Sequence, residues 1–278
     1  MRGGGRAGRV GRGAVRLFVY LAALASVAPI LWVLSTSIKL PRDYYTSPPV
    51  LVPREPTFSH YVDLFTDYGA GQYYRNTLII AVGNTLLMLL VAAPAAYAVA
   101  RYRIGGRVFP LWILAQRMLP PVAVLIPLFL LFRQARLIDT FPGLILAYGV
   151  FNLPLAVWML IGFFQEFPRE IQDQAMVDGC SELGAVIRVV LPVLAPAFVA
   201  VALFLFVFAW NELMYAIVLA RGETKPIMIL FVNLLRSPTG VLFGEASGAV
   251  VLGVIPAYVL TLAFQRYLVR GLTTGAIR

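Results

Sequence analysis

Apolar residues in this chain gather into stretches of about 20 residues or more, several of them uncharged, and most charged residues lie in the gaps between them. A bilayer core of about 30 Å takes about 20 apolar residues per helical crossing. The pattern therefore predicts membrane-spanning helices at roughly 14–38, 77–100, 108–132, 142–164, 189–211 and 246–265. The acidic residues all fall outside these spans, and Arg117 is the one basic residue deep within any of them. Insertion scales put each buried charge at about 2.5–3.5 kcal/mol, which accounts for that distribution. The first apolar stretch, Ala14 to Ile38, is too long for a typical cleaved signal and is closed by no small-residue cleavage site, so it reads as a retained helix.

Between the spans, 39–76 carries Pro41, Pro48, Pro49, Pro53 and Pro56, which favour an extended path; Phe58 to Tyr74, with spaced aromatics, suits a short interfacial helix. Prolines also lie inside spans, at Pro29, Pro94, Pro120-Pro121, Pro127, Pro154, Pro192, Pro196 and Pro256. Each removes a backbone hydrogen bond, either as a packing irregularity or as part of a bundle that flexes or lines a path.

Composition agrees with a membrane chain. Of 278 residues, 60% are hydrophobic and 13% charged, and the mean hydropathy is +0.82; soluble domains are about a quarter charged. The fold class is an all-α membrane protein of six transmembrane helices. The net charge of +10 does not indicate nucleic acid, because the arginines lie beside hydrophobic spans and not along one soluble face. They set orientation instead. One side carries the clusters Arg2 to Arg16 and Arg101 to Arg107 with Arg169, Arg188, Arg266, Arg270 and Arg278; the other carries Lys39, Arg42, Arg54, Arg75, Arg133, Arg136, Arg221, Lys225 and Arg236. The first side is the more basic, so both termini, including the basic segment 1–13, are expected in the cytoplasm. A single cysteine, Cys180, rules out an internal disulfide, and a single histidine, His60, rules out a histidine-based metal cluster.

The loop 165–188 differs from the rest of that basic face. It holds Glu166, Glu170, Asp173, Asp178 and Glu182 against Arg169 and Arg188. Pro168 suits a first helical turn and Gly179 a left-handed helix end, so a short helix, a sharp turn at Asp178-Gly179 and a second helix from about Ser181 are expected. Ile171, Ala175 and Met176 share a face. From spacing alone this is either a plug for a partner's groove or a solvated loop.

The segment Q-D-Q-A-M-V-D-G, Gln172 to Gly179, followed by V-V-L-P-V-L-A-P, resembles the EAA loop of permease subunits of binding-protein-dependent ABC importers. That family has Glu-Ala-Ala, three residues, Gly, and a later Leu-Pro. The six-span order, W-N-E-L at Trp210 to Leu213, F-P-G-L-I-L at Phe141 to Leu146 and the tail F-Q-R-Y-L-V-R-G-L-T-T-G-A-I-R look like its carbohydrate branch, a maltose permease G-like sugar permease. The likeness covers the chain from about Ala14 onward. It departs at Asp173-Gln174-Ala175, where Glu-Ala-Ala is usual, and at Gly179-Cys180, where Gly-Ala is usual.

The resemblance implies the type I ABC importer fold over 77–270 and a place in a bacterial plasma (inner) membrane. It implies a coupling helix in which Asp173, Gln174, Ala175, Met176, Asp178 and Gly179 meet an ATP-binding subunit: Asp173 pairing with a basic residue there, Ala175 packing closely and Gly179 permitting the turn. It also implies a tail, 271–278, that reaches the ATPase dimer through Gly271, Leu272, Thr273, Thr274 and Gly275. The implied partners are a second, maltose permease F-like permease, an ATP-binding subunit dimer, an extracytoplasmic solute-binding protein and a sugar, the bilayer being the solvent. No cofactor is expected on this chain, because ATP and Mg belong to the ATPase; its lysines, Lys39 and Lys225, lie in no glycine-rich phosphate loop.

Polar residues within or beside spans are candidates for the substrate path: Asn84, Gln116, Arg117, Asn152, Asn211 and Glu212. Each could equally tie helices together. Arg117, beside Pro120-Pro121, could face a cavity or pair with Glu212. Trp32, Trp112, Trp158 and Trp210 suit interfacial anchoring or stacking on sugar rings. An intramembrane protease would need a nucleophile with a base, or a metal set, at membrane depth, and a secondary transporter typically uses intramembrane acids. The spans offer neither, so the chain reads as a transport subunit and not an enzyme.

Overall fold

The computed structural model describes residues 7–106, 108–238 and 240–274, and side chains between 15 and 265. The expected basic residues Arg2, Arg6 and Arg107 and the tail residues from Gly275 onward lie outside the described residues. Helices dominate because a backbone inside a bilayer must satisfy its own N–H and C=O groups. They are α1 (Ala7–Thr36), α2 (Ser59–Thr66), α3 (Ala70–Tyr102), α4 (Phe109–Ala115), α5 (Pro121–Gln134), α6 (Phe141–Glu166), α7 (Arg169–Val177), α8 (Glu182–Ala185), α9 (Leu191–Trp210), α10 (Met214–Leu219), α11 (Ile227–Leu235) and α12 (Phe243–Thr274). Among the described residues, Val15–Thr36, Ala70–Tyr102, Phe141–Glu166, Glu182–Trp210 and Phe243–Gln265 are long and apolar enough to cross a membrane. A sixth crossing is available if Phe109–Met118 and Pro121–Gln134 act together.

That sixth crossing is not the straight helix expected over 108–132. Its halves are bent by 87°. After α4 the chain tightens into a 3-10 turn, Gln116–Met118, and then extends: Leu119 has ψ 131° and Pro120 ψ 125°. A residue before proline is pushed out of the helical region, and here two successive residues each precede one. Pro121 then opens α5, where its missing N–H costs nothing. Pro29, Pro94, Pro127, Pro154, Pro196 and Pro256 lie within continuous helices. α4 and the 3-10 turn pack on α6, whereas α5 packs on α10.

The chain forms two compact units. Residues up to Ala70 together with Phe231–Gly253 make one; Gly71–Leu230 with the residues from Val254 onward make the other. The first is organised around His60, which is buried on α2. Its Nε2 lies 2.8 Å from the Lys39 carbonyl and 3.1 Å from the Tyr44 hydroxyl, and its Nδ1 lies 3.1 Å from Glu245 Oε1. The Lys39 ammonium sits 4.1 Å over the Trp32 ring.

The second unit has two apolar clusters. One joins α3, α6 and α9 through Met88, Ala92, Ala96, Leu160, Ile161 and Leu205; the other gathers Ile80, Leu144, Tyr148, Phe206, Trp210 and Tyr215. The alanines of α3 let helices approach closely, which is how apolar helices associate in lipid. Trp210 is buried, stacked on Phe206 at 5.3 Å, so it is a core residue and neither an interfacial anchor nor a free sugar platform. The loop after α10 is pinned from two sides. Asn76 Nδ2 donates to the carbonyls of Glu223 and Lys225, and the Ile227 N–H donates to Thr77 Oγ1. Thr224 Oγ1 donates to Asp139 Oδ1 at 2.7 Å. Burial of Asp139 opposes its ionisation, but the Thr224 hydroxyl and the backbone N–H groups of Gly222, Thr224 and Glu223 outweigh it and hold the carboxyl below its ordinary range.

Candidate functional site

The acidic loop folds as the helix, turn and helix that its residues predict. Pro168 stands just before α7 in an extended conformation, as a cap instead of a first-turn residue, and Glu170 lies in the first turn, where the helix dipole favours an acid. α7 ends at Gly179 with φ 95°. There the Gly179 N–H donates to the Met176 carbonyl and the Cys180 N–H to the Ala175 carbonyl, the paired bonds of a Schellman motif. A Cβ on Gly179 would meet open space, so the glycine is required by the backbone angle and not by crowding. Ser181 caps α8, its hydroxyl accepting from the Gly184 N–H at 3.1 Å. A π-helical turn, Val186–Val190, then leads into α9. Pro192 lacks the N–H that would reach the Arg188 carbonyl, a place where helices widen locally.

The end of α3 holds this module. Arg101 Nη2 donates to Asp173 Oδ1 at 2.6 Å. Gln172, buried, donates through Nε2 to the Tyr97 hydroxyl at 2.7 Å, and the Tyr97 and Tyr102 hydroxyls both donate to Glu182 Oε1. Tyr97 also packs edge-on against Phe164. Sequence reasoning counted Arg101 toward membrane orientation alone and missed Tyr97 and Tyr102; a basic residue ending a span, facing an acid in the next loop on the same side, was the available signal. Within this chain Asp173 is thus already engaged by Arg101, while its side chain keeps 55% exposure. Ile171, Val177 and Leu183 are exposed on the outer surface of the module, with Ala175 and Met176 half-buried. Beside them a cavity of about 970 Å³ is lined by Arg101, Arg103, Arg169, Gln172, Tyr97 and Phe164.

The intramembrane polar candidates separate into distinct groups. Asn84 and Asn152 are buried and bonded to each other, Asn152 Nδ2 donating to Asn84 Oδ1 at 2.7 Å. Asn84 Nδ2 donates to the Ile145 carbonyl at 2.7 Å and Asn152 Nδ2 also reaches the Leu205 carbonyl, so the pair ties α3, α6 and α9. Asn211 donates back to Val207 of its own helix, and Gln116 is exposed on the 3-10 turn. Arg117 does not pair with Glu212. Its guanidinium lies 4.8 Å over the Phe208 ring, and Glu212 Oε1 instead accepts from the Tyr215 N–H at 3.1 Å, at the start of α10. The arginine is on the 3-10 turn before the break, where its reach is set by α4 and not by a helix continuous with the next apolar segment. Near Glu212, the Tyr148 and Tyr215 hydroxyls are buried with no hydrogen-bond partner among the described residues, and sequence alone gave no sign of them.

Gly271, Leu272, Thr273 and Thr274 continue α12 and Gly275 lies outside the described residues, so no contact of the predicted tail is described. Among the described residues, His60, Asp63 and Glu245 bring ligand-type atoms within 4.8 Å of one another, a possible metal donor set. Both ring nitrogens of His60 are already hydrogen-bonded, which fits a structural tie.

Residues 88–274 match the protein family described as binding-protein-dependent transport system inner membrane component. The chain is 32% identical to the sulfoquinovosyl glycerol transport system permease protein of Agrobacterium fabrum, over 90% of this chain and 88% of that one. It is 35% identical to the trehalose transport system permease protein of Mycobacterium tuberculosis, over 91% and 93% respectively. Its fold matches a chain in the crystal structure of a bacterial ABC transporter involved in the import of the acidic polysaccharide alginate, with a TM-score of 0.78, 23% identity, and coverage of 96% of this chain and 99% of that one.

Proposed function

This chain belongs to the family of binding-protein-dependent transport system inner membrane components, and from that premise we propose that it is one of two permease subunits of an ATP-driven importer that carries a sugar. The cargo is a di- or oligosaccharide such as maltose or trehalose, or a glycerol phosphate ester. The observation that carries this reading is the α7–Gly179–α8 module: a capped helix presenting exposed apolar residues, clamped to the end of a long span through Arg101, Tyr97 and Tyr102. A push on α7 from a closing ATPase dimer would pass through those contacts into α3 and, through the π-helical turn, into α9. Asp173, Gln174, Ala175, Met176, Asp178 and Gly179 form the docking surface for the ATPase, and both chain termini face the same, cytoplasmic, side.

Along the path, Asn84 and Asn152 hold helices together. Arg117, Gln116, Asn211 and Glu212, with the buried hydroxyls of Tyr148 and Tyr215, are the groups that meet a polar solute. The binding protein delivers the sugar from outside, and the second permease completes the path.

The test is to co-express the chain with the permease, ATPase and binding-protein genes adjacent to its own, purify the assembly in lipid and measure ATP hydrolysis with a panel of sugars. Stimulation by one sugar in the presence of binding protein is expected. Failure of the chain to co-purify with any ATPase would overturn the coupling role.

A further inference from the structure

A second cavity, of about 570 Å³, lies where α5 ends and the loop after α10 returns, and it is lined by Phe129, Arg133, Arg136, Ile138 and Arg221. None of the three arginines takes part in an ion pair among the described residues. Two acids lie close in sequence, Asp139 and Glu223: Asp139 is occupied by Thr224 and by backbone N–H groups, and Glu223 makes no ion pair among the described residues. Arg221 is held in place by its Nε bond to the Val218 carbonyl, with its guanidinium 5.1 Å over the Phe129 ring. Arg136 adopts φ 58°, a backbone region that suits glycine or asparagine better than a long side chain. The cavity sits at the polar end of an apolar surface: Ile126, Leu130 and Leu131 of α5 are exposed, 66%, 51% and 61% respectively. Unpaired guanidiniums directly beyond exposed aliphatic side chains match an amphiphile with an anionic head and hydrocarbon tails.

We propose that this cavity binds the phosphodiester headgroup of an anionic phospholipid, with Arg133, Arg136 and Arg221 on the phosphate oxygens and the acyl chains along α5. Phe129 and Ile138 wall the glycerol region. Each arginine near an anionic lipid surface contributes roughly fivefold in affinity.

The test uses the purified assembly containing the full chain, titrated with phosphatidylglycerol or with phosphatidylcholine of the same acyl chains, and reads bound lipid by native mass spectrometry. Phosphatidylglycerol is expected to be retained preferentially, with roughly a fivefold loss for each of Arg133→Gln, Arg136→Gln and Arg221→Gln. Free glycerol phosphate at equal concentration is expected not to displace it. Equal retention of the two lipids by the unmodified assembly would overturn the proposal whatever the variants do. Displacement by free glycerol phosphate would make the site one for a soluble phosphate ester. Unchanged lipid retention with weakened, salt-sensitive capture of the binding protein would assign the arginines to an acidic protein partner. Both results reject a lipid site.

Discussion

At the scale of residues, two asparagines show how a membrane interior treats polarity. Asn84 and Asn152 are buried, satisfy each other and also bond the Ile145 and Leu205 carbonyls. Removing one leaves its partner's amide without a mate in a medium that offers no water, whereas removing both leaves only space. Asn84→Leu and Asn152→Leu are each expected to destabilise the assembly by about 1–2 kcal/mol, and the double variant by less than their sum. Denaturation in mixed micelles, analysed as a double-mutant cycle, reads this directly; strictly additive losses would mean the two side chains act independently. That these residues are polar and intramembrane was legible from the sequence. Their pairing was not, because 68 positions separate them and nothing local encodes which helices meet.

At the scale of elements, the sequence was most informative where a backbone rule acts over a few residues. Gly179 foretold a left-handed helix end, and the structure supplies φ 95° and both bonds of the motif. Gly179→Val would force a β-branched residue into that angle at a cost of about 1–2 kcal/mol or more. The expected outcome is a chain that still inserts but whose assembly loses sugar-stimulated ATP hydrolysis and uptake. Asp173→Arg sets a like charge against Arg101 and is expected to act in the same direction. Membrane fractionation, uptake and ATPase assays on the same preparations check both, and normal coupling in the two variants would remove α7 from the transmission path. The clamp of Arg101, Tyr97 and Tyr102 stayed hidden for the opposite reason: it is made by tertiary approach, and the arginine's place at a span end already had an explanation in membrane orientation.

At the scale of the whole molecule, the adjacent prolines have the widest effect. Non-helical backbone is tolerated at membrane depth only when covered by protein or bathed in water. Here Gln116, Met118, Leu119 and Pro120 are exposed in the single chain, Met118 at 84%. The assembly must therefore supply a second protein surface or an aqueous path at this point. With Cys180 replaced by serine, Met118→Cys is expected either to cross-link to the second permease or to react with a hydrophilic maleimide; an inert thiol would place the break against lipid and contradict the bundle described above. The same break separates loyalties. Before it α4 leans on α6, beyond it α5 leans on α10, and between them Leu119 and Pro120 are extended, tied only to the turn on either side through the Leu119 N–H to Gln116 and the Ala123 N–H to Pro120. A straight span is a rod that carries displacement from one membrane face to the other. This one is a knuckle: its two bones rest on different neighbours, so on the proposed import reading a displacement of one reaches the other only through a joint of extended residues.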